Sequence, residues 1–182
     1  FACLALRRVE PERALRLADE LCEQHPGDGL GPWAKGLVLE ARGDRPGATA
    51  ALERATACLP RSPAAHYTLG KLWFDRGEPA RALALMTQAR DLSPRFVEAW
   101  MGIGMAQRRL GHVDEALAAL QRAVELHESQ GDARFQLGQL LVQRGDTAAG
   151  LEQLRRATQL SGADPNKWHH LAFALFTTGD DV

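Results

Sequence analysis

Cysteine is scarce in this chain of 182 residues: Cys3, Cys22 and Cys58 are its three, and no CxxC spacing joins them. An odd count without a framework argues against a disulfide-stapled fold and reads as reduced core thiols in a reducing compartment. The expected location is therefore the cytoplasm, with the periplasm open to a form carrying a signal peptide upstream. Excess charge is also lacking, since 22 Lys and Arg face 23 Asp and Glu for a net charge of −1. Such a balance gives no general pull towards nucleic acid or an anionic membrane surface. No apolar run reaches the roughly 18 residues that a membrane span needs. At the start, Phe1-Ala2-Cys3-Leu4-Ala5-Leu6 precedes Arg7-Arg8, which puts the charge on the wrong side for a signal peptide. With 45% hydrophobic and 25% charged residues, the chain is too apolar for disorder.

Catalytic and metal-binding patterns are missing as well. His169-His170 are helix neighbours about 100° apart, without a carboxylate or thiolate one turn on, and read as surface histidines. His127-Glu128 lacks the second histidine of a zincin motif, because Gly131 stands in its place. Gly102-x-Gly104 has no third glycine and no preceding strand, so it is no dinucleotide fingerprint. Gly27, Gly29 and Gly31 mark a junction. Arg108-Arg109 and Arg155-Arg156 are balanced by Glu115, Glu125 and Glu152 and read as solvated faces. No Ser/His/Asp or Cys/His arrangement can be drawn. The expectation is no catalytic residue, no metal and no cofactor.

What the chain does have is a ladder of glycines. Gly43, Gly77, Gly111, Gly145 and Gly179 follow one another at a constant step of 34 residues. A fixed period of this size marks a chain built by stacking one supersecondary unit. In residues 63–96, His66, Leu69, Gly70 and Trp73 share one helix face, and Gly77 ends that helix by accepting the left-handed conformation. Pro79 opens a second helix whose face carries Ala82, Met86, Ala89 and Leu92, and Pro94 stops it. Small residues at Gly70, Ala82 and Ala89 allow two helices of a hairpin to approach closely. The same frame fits residues 29–62, 97–130 and 131–164 as full units, 1–28 as a partial unit and 165–182 as the first helix of a further one, in a single array over 1–182. Departures are local. Lys35 replaces a leucine-like residue, and Glu128 and Gly162 stand where Pro60 and Pro94 do, leaving helix lengths open around 128–131 and 162–165. The chain begins with Phe and stops two residues after Gly179-Asp180, so a piece of a longer protein is expected. Its composition, with arginine far above lysine, suggests a bacterial source.

These residues resemble the tetratricopeptide repeat (TPR) family, whose 34-residue unit reads W-x₂-L-G-x₂-Y, then A-x₃-F, then P. Here the pattern stands as Trp100-x₂-Ile103-Gly104 with Ala116-x₃-Leu120, and as Leu69-Gly70-x₂-Trp73 with Ala82-x₃-Met86 and Pro94. The resemblance implies an all-α, right-handed superhelical solenoid of antiparallel helix pairs, with its concave face lined by the first helix of each pair. It also implies a non-catalytic protein–protein interaction scaffold that holds a peptide or helical segment of a partner.

Beside the packing face, each first helix carries a second stripe. These stripes hold Trp33, Leu37 and Glu40; Tyr67, Lys71, Phe74 and Asp75; Met101, Met105 and Arg108; Phe135, Gln139 and Val142; and His169, Phe173 and Phe176. Large apolar residues in a row (Trp33, Tyr67, Met101, Phe135, then His169) are unexpected on a water-facing surface. Two readings stand: a groove for a partner, or extra core between adjacent first helices. A mixed groove with Lys71, Arg108, Glu40 and Asp75 around an apolar row suits an amphipathic helix or an extended apolar segment. Two known uses of the family are excluded by position. The carboxylate clamp would need basic and amide residues where Trp33, Leu37, Thr68, Glu98 and Gly102 stand, and the asparagine ladder falls on Ala34, Thr68, Gly102, Gln136 and His170. The alternative function is an accessory arm of a larger enzyme, such as a glycosyltransferase or sulfotransferase, that positions its protein substrate. Self-association through open array ends is a third reading.

Overall fold

Proline, glycine and small polar residues mark where each helix of this chain starts and stops. The computed structural model describes residues 10–162 and 164–178. Cys3 and the turn expected at Gly179 lie outside the described residues. Every element among the described residues is an α-helix, and the helices fall into two compact units, Phe1–Pro94 and Arg95–Val182. The first unit contains α1 (Pro11–Gln24), α2 (Leu30–Ala41), α3 (Arg45–Cys58), α4 (Pro63–Asp75) and α5 (Pro79–Leu92). The second contains α6 (Val97–Leu110), α7 (Val113–Leu126), α8 (Gly131–Arg144), α9 (Thr147–Ser161) and α10 (Pro165–Thr178).

Helix starts use prolines and short side-chain caps. Pro11, Pro63 and Pro79 are first residues of their helices, where a missing N–H leaves nothing unpaired. The Asp44 carboxylate accepts from the Gly47 amide at 3.0 Å, and Ser62 Oγ accepts from the Ala65 amide at 3.3 Å. Helix ends at the glycine ladder share one geometry. Gly43, Gly77, Gly111 and Gly145 have φ of 80°, 80°, 84° and 100°, the left-handed region in which a Cβ is penalised. Each glycine amide bonds three residues back, and the next amide bonds five residues back, as in Gly43 N to Glu40 O (3.0 Å) and Asp44 N to Leu39 O (2.9 Å). This is the Schellman arrangement, which satisfies carbonyls that the helix end would otherwise leave unpaired.

Consecutive helices pack as pairs. In the first unit α2 lies against α3 and α4 against α5, with α1 on α2 and α3 on α4. Leu39, Ala48, Leu52, Leu69 and Leu72 form its main core, partly covered by Trp33, Trp73 and Leu85. In the second unit α6 pairs with α7 and α8 with α9, and α10 covers α9. Its core clusters are Ala116, Leu117, Leu120, Leu137 and Leu140, then Leu151, Leu154, Leu171 and Ala174. Glycines let the paired helices touch. A Cβ on Gly36 would stand 2.6 Å from Leu52 Cγ, and one on Gly104 the same distance from Leu120 Cγ.

Several sequence departures have physical explanations. Lys35 replaces an apolar residue because its ammonium reaches Asp19 on α1 at 2.6 Å. Without a proline at 128, α7 still ends at Leu126, and the Glu128 carbonyl accepts from buried Arg134 Nε at 2.8 Å. The same strut recurs six residues apart from His66 Nε2 to the Pro60 carbonyl (3.0 Å) and from Trp168 Nε1 to the Gly162 carbonyl (3.1 Å). Gly162 lets α9 run to Ser161, 15 residues against the 14 of α7. One packing assignment needs correction. Leu92, placed on the buried face of α5, is 41% exposed because it is the last residue of that helix. Trp168 is also exposed, and its indole N–H braces the preceding loop rather than a helix partner.

Candidate functional site

The open stripe belongs to the first helix of each pair, α2 and α4 in the first unit and α6, α8 and α10 in the second. Within a unit, successive first helices meet through residues 31 or 35 positions apart. Trp33 Nε1 donates to Thr68 Oγ1 at 3.1 Å (35 apart), and Lys71 Nζ lies 3.8 Å from Glu40 Oε1. Arg108 reaches Gln139 at 3.5 Å, and Gln139 reaches His170 at 3.2 Å, each 31 apart. The offsets bracket the repeat length, as expected when like helices lie side by side one repeat apart.

In the first unit, Trp33, Leu37 and Tyr67 are half-buried. Trp33 packs on the core cluster through its ring and fixes its indole N–H on Thr68, which itself donates to the Ala64 carbonyl at 2.7 Å. Lys71 is exposed and tied to Asp75 Oδ2 at 2.6 Å. Burial, the largest single influence, pulls its pKa down. The hydrogen bond and charge of Asp75, then Glu40 and Tyr67, push the other way and together win, so the ammonium titrates above the ordinary lysine range. A raised lysine pKa means its stabilisation is complete below the unfolded-state value and disappears as pH rises through the folded one. Urea stability of the protein and of Lys71→Met is therefore expected to differ at neutral pH and to converge above the lysine range. A difference that persists unchanged in strong alkali would contradict this.

Phe74 departs from the expected stripe, being 9% exposed. It follows Gly70 by four residues, about 40° round the helix, which carries it to the packing side. In the second unit Met101, Met105, Arg108, Phe135 and Gln139 are half-buried, whereas His169 and Phe173 are exposed. Met101 packs against the Leu117–Leu120 cluster and accepts a 3.9 Å contact from Gln130 Nε2 at its sulfur. Phe135 packs against the Leu151–Leu154 cluster and meets the His170 ring edge-on at a centroid distance of 5.2 Å. Trp33, Met101 and Phe135 thus rest one side on core and keep the other open.

His170, not His169, joins the polar groups of this face. Sequence reading missed it as a contact because His170 lies 35 residues beyond Phe135, the same offset as Thr68 beyond Trp33, and that offset is visible only once the helices are side by side. Among the described residues, no three His, Cys, Asp or Glu side chains come together to hold a metal ion. No helix among them is long and apolar enough to cross a membrane.

Helix pairs closed by left-handed glycines at a constant step, with an open stripe on each first helix, define a repeat protein of the TPR type. A tetratricopeptide repeat profile matches residues 33–95, 67–131 and 101–166, and the chain belongs to that family. No curated protein sequence matches it. Among solved structures it is similar to a thermophilic TPR protein of Thermus thermophilus, with a TM-score of 0.75, 21% identity and 91% of each chain covered. It is also similar to YrrB, a TPR protein with an unusual peptide-binding site (TM-score 0.70, 24% identity, 88% of this chain and 83% of that one). A third likeness is to pilF of Pseudomonas aeruginosa (TM-score 0.85, 14% identity, 98% of this chain and 84% of that one). At these identities the likeness shows the fold. Repeat domains of this family generally serve as protein–protein interaction scaffolds.

Proposed function

We propose that this chain is a non-catalytic scaffold that holds a peptide or helical segment of a partner protein on the open faces of its first helices. The observation that carries this reading is a row of large apolar side chains in each unit, Trp33, Leu37 and Tyr67 in one and Met101, Met105 and Phe135 in the other, all half-buried rather than covered. Aromatics and methionines so placed are the favoured anchors of interface cores, and Trp33, Met101 and Phe135 are already held by core contacts, so these three lose little side-chain freedom on binding. Lys71 with Glu40 and Asp75 in one unit, and Arg108 with Gln139 in the other, supply polar groups beside the row.

Selection of a random dodecapeptide library on the protein tests this reading, followed by affinity measurements on a Tyr67→Ala/Met101→Ala variant. Selected peptides should lose about tenfold or more in affinity, as hot-spot truncations do. The melting temperature should fall far less than after truncation of a fully buried side chain. Peptides that bind the variant as tightly as the parent would sink the proposal.

A further inference from the structure

In the second unit a cleft of about 290 Å3 opens between α6, α8, α9 and α10, lined among others by Arg108, Gln139, Val142, Leu154, His170 and Phe173. None of the described residues lining it is acidic. Its polar groups form a chain whose direction can be worked out. Arg108 only donates, so the Gln139 oxygen must be the acceptor at 3.5 Å. The Gln139 amide nitrogen therefore faces His170 Nδ1 at 3.2 Å and donates to it. An accepting Nδ1 places the proton of the neutral imidazole on Nε2. Both ends of Gln139 are thereby used, and what Arg108 and His170 have left to offer a ligand is N–H donors. The 3.5 Å bond is at the long limit of the interaction, so the guanidinium exchanges it readily for a stronger acceptor. Beside these donors stand Val142, Leu154 and Phe173, the last 61% exposed.

We propose that this cleft takes a carboxylate side chain together with an adjacent apolar side chain from an acidic, amphipathic peptide segment of a partner protein. Charge complementarity selects that occupant. A guanidinium in a cleft with no acid among its described lining residues binds a carboxylate by charge-assisted hydrogen bonds, while a lysine or arginine brought there meets like charge. The apolar wall sets the second requirement, since covering the exposed Phe173 ring is favourable when the group laid against it is itself apolar. The inference rests on the peptide-binding reading above and names the chemistry of the peptide at this one place.

Fluorescence anisotropy with three labelled peptides of one length tests it, each alternating leucine and phenylalanine with glutamate, glutamine or lysine. The glutamate peptide should bind about tenfold or more tightly than the glutamine peptide, and the lysine peptide should bind weakest. Arg108→Gln should remove that preference and Arg108→Glu should invert it, both with a near-parental melting temperature. Phe173→Ala should weaken the glutamate and glutamine peptides alike. Equal affinity for glutamate and glutamine peptides, or a preference that survives Arg108→Glu, overturns the proposal. If binding is indifferent to charge yet lost in Tyr67→Ala/Met101→Ala, the acidic-segment inference fails and the scaffold reading stands. If none of the three peptides binds the parent protein while library-selected peptides do, the acidic-segment inference fails and the scaffold reading stands; if library selection also yields no binder, both fail.

Discussion

Gly138→Val is expected to destabilise the protein by about 3 kcal/mol, near the upper end of ordinary overpacking costs. Gly138 on α8 faces Gly150 on α9, and the two backbones meet where neither residue has a side chain. A Cβ at 138 would stand 2.9 Å from the Gly150 carbonyl oxygen and 3.0 Å from the Leu154 amide nitrogen. A Cβ at 150 would likewise meet the Gly138 oxygen and the Val142 nitrogen, each at 2.9 Å. Main-chain atoms inside a helix cannot rotate out of the way, so α8 and α9 must separate, and the Leu151–Leu154 cluster must loosen with them. Replacing a mid-helix glycine does recover backbone entropy, but at most about 1 kcal/mol relative to alanine, and less for a β-branched residue. The clash therefore wins. Urea unfolding measures it, with Gly27→Ala as the control, because a Cβ at Gly27 meets nothing within 4 Å. A Gly138→Val protein as stable as that control would mean the two helices do not pack this closely.

Such close approaches were legible in the sequence, because a glycine at one helix position in each unit is what a tight hairpin requires. The glycine ladder likewise announced every left-handed helix end from Gly43 to Gly145, since few other residues tolerate that backbone. The open stripe was only partly legible. Spacing of three and four places residues on a face to within about a third of a turn, which is too coarse to separate Phe74 from Lys71 at the edge of two faces. Trp33, Met101 and Phe135 lie on such an edge, so one side of each is core and the other open. His170 shows a different limit. Its partners are 31 and 35 residues away, offsets set by how neighbouring first helices slide along one another, and no local pattern encodes that slide. Strut residues such as Arg134 were hidden for a related reason: a side-chain bond to a loop carbonyl six residues back looks, in sequence, like an ordinary packing position.

Leu120→Ala is expected to cost about 2–5 kcal/mol, the range for emptying a leucine-sized space in a core. Leu120 is 1% exposed in the cluster shared by α7 and α8, and its Cγ lies over Gly104 of α6. That geometry makes a sharper result possible than a single loss. In the parent protein, a Cβ at 104 would stand 2.6 Å from Leu120 Cγ, 2.9 Å from its Cδ2 and 3.1 Å from the Ala116 carbonyl oxygen. Gly104→Ala alone should therefore destabilise, by about 1–3 kcal/mol of overpacking less the roughly 1 kcal/mol of recovered helix propensity. Once Leu120 is alanine, the two nearest obstacles are gone and the new methyl fills part of the space they left. Gly104→Ala should then stabilise by up to about 1 kcal/mol, a reversal of sign set by the helix-propensity gain that remains. The coupling between the two changes should be about 1–3 kcal/mol, within the span found for residues in direct contact. Urea midpoints of the four proteins decide it. Additive effects would show that Leu120 does not sit over Gly104, whereas a reversal would show that the glycine at this helix position exists to admit the leucine opposite.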